Sequence, residues 1–209
     1  MEDYAYILDF LPRGRPDQQR SKEPLAYAVG ERNFVLLELL PKSDASLTSG
    51  ERAYVGKEPA LKDKIVHVRG RVRFEDMTHA AQSELRSALE RIITSDEERF
   101  IRFFNEAGPI TTRMHMLELL PGLGKKLMWS ILEERKKGPF KSLKELDERV
   151  KALHQPVKLI AHRIEQEITD PHEKYHIFAQ PFIEREFGAG PPGRPGGGFG
   201  GPPGGPRLR

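Results

Sequence analysis

Near Asp76 the spacing of apolar residues changes from every second position to every third or fourth. That switch predicts an α+β fold with strands first and helices after. Ahead of it, Ile65 to Phe74 sets Val66, Val68, Gly70, Val72 and Phe74 against His67, Arg69, Arg71 and Arg73 in strict alternation, as in a strand with two unlike faces. Tyr4 to Leu11 predicts another strand, closed by Pro12-Arg13-Gly14. Leu25 to Val29 and Asn33 to Leu40 flank a Gly30-Glu31-Arg32 turn and predict a hairpin, and Glu51 to Lys57 is a further short strand. About five short strands within residues 1–77 predict a small barrel, of the OB type.

Behind the switch, Thr78 caps a connecting helix over residues 78–95, and Thr94/Ser95 with Glu97/Glu98 form a capping box for a helix through Asn105. Gly108-Pro109 breaks that helix. Met114 to Leu120 predicts a short apolar helix, and Lys125 to Lys137 another, with Arg135, Lys136 and Lys137 at its negative end and Gly138-Pro139 as its stop. Ser142 with Glu145 opens a helix to about Val150. Pro156 opens one whose Val157, Ile160, Ala161, Ile164 and Ile168 share a face, stopped by Asp170-Pro171. Residues 96–170 thus read as an all-α domain, the second unit of a two-domain chain. Tyr175 to Phe182, within residues 171–187, predicts a short strand packing back on the body. Residues 188–209 are mostly glycine and proline without a strict three-residue repeat, which predicts a disordered tail.

The absence of cysteine excludes disulfides, thiolate metal sites and cysteine nucleophiles, and suits an intracellular protein. With no apolar run near the roughly 18 residues of a membrane span and no secretory signal pattern, the expected location is the cytoplasm, away from membranes. The net charge of +3 carries little, because the tail holds Arg194, Arg207 and Arg209 and no acid; without those three, bases and acids balance at 31 each. Any binding claim must rest on local charge.

One local feature does supply it. Leu120-Pro121-Gly122-Leu123-Gly124 has the makings of a tight turn between two helices, a helix-hairpin-helix, whose outward amides at the start of the second helix favour an anion. Gly122 and Gly124 allow positive φ and let a phosphate approach without a Cβ in the way, Pro121 stiffens the turn, and Leu120 and Leu123 anchor it. Lys125 and Lys126 add Coulomb attraction. Arg69, Arg71 and Arg73 form either a solvated strand face or a second basic strip, with Tyr4, Tyr6, Tyr27, Phe34 and Tyr54 as stacking platforms or barrel core.

The run Leu119 to Lys126, with Ile131-Leu132, Arg135 and Pro139-Phe140-Lys141-Ser142-Leu143, resembles the helix-hairpin-helix of bacterial competence and Holliday-junction-binding proteins. Residues Ser142 to Ile168 resemble a second copy whose turn, Leu153-His154-Gln155-Pro156, lacks both glycines and should grip phosphate poorly. Phe74-Glu75-Asp76-Met77-Thr78, Arg99 to Asn105 and Pro109 to His115 extend a closer resemblance over nearly everything but the tail. It is to an archaeal family of uncharacterised proteins, described only as candidate RNA- or nucleic-acid-binding, that pair an OB-type barrel with a helix-hairpin-helix domain. The resemblance implies RNA, in the setting of translation or the ribosome, ahead of DNA. A DNA repair or recombination accessory and a protein-binding adaptor are the rival readings.

His172-Glu173-Lys174-Tyr175-His176 satisfies H-E-x-x-H literally, but the preceding proline and strand-like alternation argue against the helix a zinc site needs. No metal, cofactor or catalytic residue is expected, since no acid–base pair, nucleophile constellation or Walker loop is present. Trp129 is expected in the core rather than stacked on a base, and His115, beside the hairpin, in a packing or surface role rather than against a phosphate.

Overall fold

The computed structural model describes residues 2–15 and 23–182. Five strands come first: β1 (Tyr4–Leu11), β2 (Leu25–Gly30), β3 (Leu36–Pro41), β4 (Arg52–Tyr54) and β5 (Ile65–Arg71). They form one antiparallel sheet in the order β4-β1-β2-β3-β5. Strand alternation divides its side chains between two faces. Tyr6, Leu8, Tyr27 and Val29 meet the helices, while Ala5, Ile7, Ala26, Ala28, Leu37 and Leu39 share a second cluster. Ala53 of β4 and Ile65 of β5, from the two outer strands, sit in that second cluster together, so the sheet curls around it into a half-barrel. Four alanines on this face leave little volume to fill and permit the curl. β2, with a neighbour on each side and both faces covered, is buried along its whole length.

The helical half begins with α1 (His79–Ser95) and α2 (Glu97–Glu106), followed by a small ribbon of β6 (Pro109–Thr111) and β7 (Met114–His115) and a 3-10 turn at Met116–Leu119. Then come α3 (Lys125–Lys136), α4 (Leu143–Arg149) and α5 (Pro156–Thr169). Thr78 caps α1 by accepting from the Ala81 amide at 3.1 Å while its hydroxyl donates to Asp9 of β1 at 2.6 Å, tying the helix start to the sheet. Ala81, Leu85, Ala88, Leu89, Ile92 and Ile93 are fully buried along one stripe of α1. Each large side chain there contributes on the order of 1.5–3 kcal/mol by burial. The larger core cluster runs without interruption from Tyr6 through α1 and α2 to Ile164 and Ala179, so the boundary drawn near residue 77 crosses a continuous core.

Three local expectations are corrected. Thr94 and Ser95 do not cap α2: their hydroxyls donate to the carbonyls of Glu90 and Ile92 and finish α1 instead, and Asp96 stands at the α2 N-cap without a side-chain bond. Met114 to Leu120 is not a continuous helix. His115 pairs with Pro109 across the ribbon and then caps a single 3-10 turn, its Nδ1 accepting from Leu117 while Glu118 accepts from the His115 amide. Tyr175 to Phe182 forms no strand. The amides of Ile177, Phe178 and Ala179 donate to the Glu167 carboxylate, which is 3% exposed and also holds Arg163 at 2.8 Å, so backbone bonds that a strand would use go to a buried side chain. The expected tail over residues 188–209 lies outside the described residues. Among those described, no helix is long and apolar enough to cross a membrane.

Candidate functional site

The turn between the 3-10 segment and α3 is built from alternate anchors and openings. Leu120 and Leu123 are buried, and the Leu123 amide closes back on the Leu120 carbonyl at 3.0 Å. Between them Gly122 has φ +79°, a left-handed conformation that favours glycine, and a Cβ there would meet nothing within 4 Å. Gly124 differs from expectation: its φ is −78° with ψ 174°, open to any residue, so backbone freedom does not require glycine there. What it leaves is space, since a Cβ at Gly124 would also meet nothing within 4 Å.

Gly124 is the N-cap of α3 and can offer no side-chain cap; the first intrahelical bond is Met128 N–H to its carbonyl at 3.0 Å. The amides of Lys125, Lys126 and Leu127 therefore have no acceptor among the described residues. α3 has no acid in its first turn. Two exposed lysines stand there instead, against the helix dipole, and neither joins an ion pair among the described residues. Lys136 and Lys137 at the far end of the helix do pair, with Glu133 at 2.7 Å and Glu134 at 2.6 Å. The turn thus presents uncapped amides and unneutralised positive charge to solvent.

Arg69, Arg71 and Arg73 look different. The register shift at Glu38/Leu39 falls at Arg69 and interrupts the alternation of Arg69 and Arg71, and Arg73 lies beyond the end of the strand. Arg69 bonds Glu23 at 2.6 Å and Glu38 at 3.4 Å, and Arg73 bonds Asp76 at 2.8 Å. Arg71 donates to the carbonyls of Gln180 and Pro181 at 3.0 and 2.9 Å and lies over the Phe182 ring. Of the aromatics, Tyr6, Tyr27 and Phe34 are buried, while half-buried Tyr4 and Tyr54 pack edge to face with Arg52 over the Tyr4 ring.

Cations at the far end of α3 serve the fold. Arg135 donates to the carbonyls of Phe104, Asn105 and Ala107 and so closes the end of α2, a role distinct from the dipole partner expected within α3. Arg149 donates to Glu134 and Gly138 carbonyls and lies over Phe140. His115, half-buried at the start of the 3-10 segment, is held below its ordinary 6.5 by burial and then by the nearby Arg135, with Glu118 opposing. In the H-E-x-x-H run, turns and coil replace the helix the motif needs, and Glu173 is paired with Arg163 at 3.1 Å.

The expectation for Trp129 is overturned. It is 58% exposed, the largest exposure among the exposed large hydrophobic residues described, while Met128 and Ile131 take the inward positions of α3. A helical-wheel count carries this signal, because Trp129 lies four residues beyond Lys125 and seven before Lys136, on their face of the helix.

A second turn follows the same plan with different residues. Leu153 is buried, its amide bonding Val150 at 2.8 Å, and Gln155, two residues later, takes φ +55°. α5 then starts at once with Pro156, which has no amide hydrogen, and the Lys158 amide turns back to the Gln155 carbonyl at 3.0 Å.

A profile of the family described as protein of unknown function (DUF655) matches residues 1–180. The uncharacterized protein MJ0038 of Methanocaldococcus jannaschii is 45% identical over 180 residues, covering 86% of this chain and 80% of that one. The crystal structure of Af1531 from Archaeoglobus fulgidus is similar with a TM-score of 0.80 at 49% identity, over 86% of this chain and all of that chain. The residues matched by the profile take in the sheet and all five α-helices described, and the chain belongs to the DUF655 family.

Proposed function

We propose that this protein is a non-enzymatic nucleic-acid-binding protein that grips backbone phosphate at the Leu120–Gly124 turn, with structured RNA in a ribosome-related setting as its partner. In this reading the half-barrel is an OB-type barrel left open, the 3-10 segment with α3 is a helix-hairpin-helix, and α4 with α5 is its degenerate copy. The observation that carries it is the start of α3, where three unaccepted amides, two unpaired lysines and an open approach over Gly124 coincide. For folding alone this arrangement is poor, since a cap and an acid would each add stability. Local choices that work against stability mark places where a ligand supplies the missing partner. Phosphate fits, as the anion that amide clusters and lysines hold together. Arg69, Arg71 and Arg73 add less than their sequence pattern promises, because acids already neutralise Arg69 and Arg73.

The test is binding to structured RNA, duplex DNA and single strands across a salt series, comparing the wild type with Lys125→Ala/Lys126→Ala. Affinity should fall, and the plot of log K against log salt should flatten by roughly one to two units. Preference for RNA over DNA at equal salt supports the RNA assignment, and the reverse order moves it to DNA. Failure to bind any of them at moderate salt would sink the reading and favour a protein-binding adaptor.

A further inference from the structure

The geometry points to an unpaired nucleotide as the ligand at α3, its base stacked on Trp129 and its phosphate at the turn; this rests on the phosphate reading above. Trp129 is the chain's single tryptophan and stands more than half exposed on the solvent face of α3, among Lys125, Lys126, Ser130, Glu133 and Lys136. It has no packing task there, because Met128 and Ile131 fill the inward side. Its position along the helix matters. Four residues of α-helix advance about 6 Å, so the indole lies roughly one turn from the amides that would hold phosphate, a spacing comparable to that from phosphate to base within one nucleotide. Lys125 and Trp129 lie about 40° apart around the helix, close enough for one ligand to meet both.

Charge decides which polymer fits. Lys125 and Lys126 are without ion pairs among the described residues, whereas Glu133 is committed to Lys136 at 2.7 Å, so the patch around the indole is cationic and suits an anionic chain. An aromatic ring flanked by lysines offers a base a π-face and its backbone a counter-charge, the combination by which single strands are held without sequence readout. Paired bases already stack on one another inside a duplex and present only edges in the grooves. Trp129 therefore favours a loop, a bulge or a single strand over a continuous duplex.

The lone tryptophan makes the test direct. The full-length protein is titrated with oligouridine and oligothymidine strands of about twelve nucleotides and with a blunt duplex of that length, reading intrinsic fluorescence and affinity together. Single strands should quench Trp129 and the duplex should leave it nearly unchanged; stronger binding of one strand type assigns RNA or DNA as the source. Trp129→Ala should weaken single-strand binding roughly five- to a hundredfold while duplex binding stays within about twofold, and Trp129→Phe should recover most of the loss. Because the side chain is exposed, both variants should fold, which a thermal melt checks. Unchanged single-strand affinity in Trp129→Ala, with affinity lost in Lys125→Ala/Lys126→Ala, would overturn stacking and leave the phosphate reading standing. Failure of every oligonucleotide to bind would overturn stacking, and the phosphate reading falls with it only if structured RNA also fails to bind.

Discussion

The turns before α3 and before α5 share a plan and differ in what they leave open. Each buries a leucine, Leu120 or Leu153, and each places a left-handed residue two positions later, Gly122 or Gln155. Ahead of α3 two more residues follow before the helix begins, the last is a glycine, and the first helical amides find no acceptor. Ahead of α5 the helix starts immediately on a proline, which removes one orphan amide. One backbone scheme therefore yields an anion-ready helix start in one place and a closed helix start in the other. The difference is made by a few residues, while the buried leucines keep both turns attached to the same core.

The largest expected effect comes from closing the open turn. Gly124→Asp supplies the missing cap and an acid at the helix start, so the melting temperature should hold or rise while phosphate-dependent binding is abolished. Loss of both stability and binding would mean that the turn had distorted and that the contrast between the two helix starts had not been tested cleanly. Retention of both would show that this helix start does not hold the phosphate.

Exchanging the left-handed residues sharpens the comparison on stability. Gly122→Ala forces a side chain into φ +79° and should cost about 1–2 kcal/mol by denaturant unfolding. Gln155→Gly relieves the same strain at φ +55° and should stabilise by up to about 1 kcal/mol, less what glycine loses in chain entropy. The second variant should gain no affinity for nucleic acid, because Pro156 still withholds an amide. A gain would show that the αL residue, more than the orphan amides, sets the grip.

The smallest effect concerns the cap of the 3-10 segment that leads into the first turn. His115 is held below its ordinary 6.5 by burial and by Arg135, and its Nδ1 must be neutral to accept from the Leu117 amide. A group with a lowered folded-state value leaves the unfolded chain holding more protons, so its contribution is present above about pH 6.5 and lost as pH falls toward the folded value. Stability measured by urea unfolding should decline across that window. In His115→Asn, which keeps a capping acceptor, this part of the slope should vanish.

Much of the architecture was legible from local pattern. Apolar period located the strands and the major helices, and Thr78, Ser142 and Pro156 marked three of the helix starts. Misread elements share one cause: side chains that serve non-local or backward-pointing bonds instead of the local role their spacing implies. Thr94 and Ser95 bond back into α1, Arg135 reaches across to α2, and Glu167 takes the amides of residues 177–179. Trp129 was misjudged for another reason, since hydrophobicity stood in for position although the wheel count places it with the lysines.

By itself, the sequence determined the five strands of the sheet and the five α-helices after them, the buried leucines of both turns, and the glycine that a left-handed bend favours at position 122. Those follow from periodicity and from steric limits on single residues, which act at short range. Only the tertiary structure decided which cations remain available. Arg69 meets Glu23 and Glu38, and Arg149 meets carbonyls of Glu134 and Gly138, whereas Lys125 and Lys126 meet none among the described residues. Charge pairing depends on distance in space, which a linear pattern of like residues does not contain.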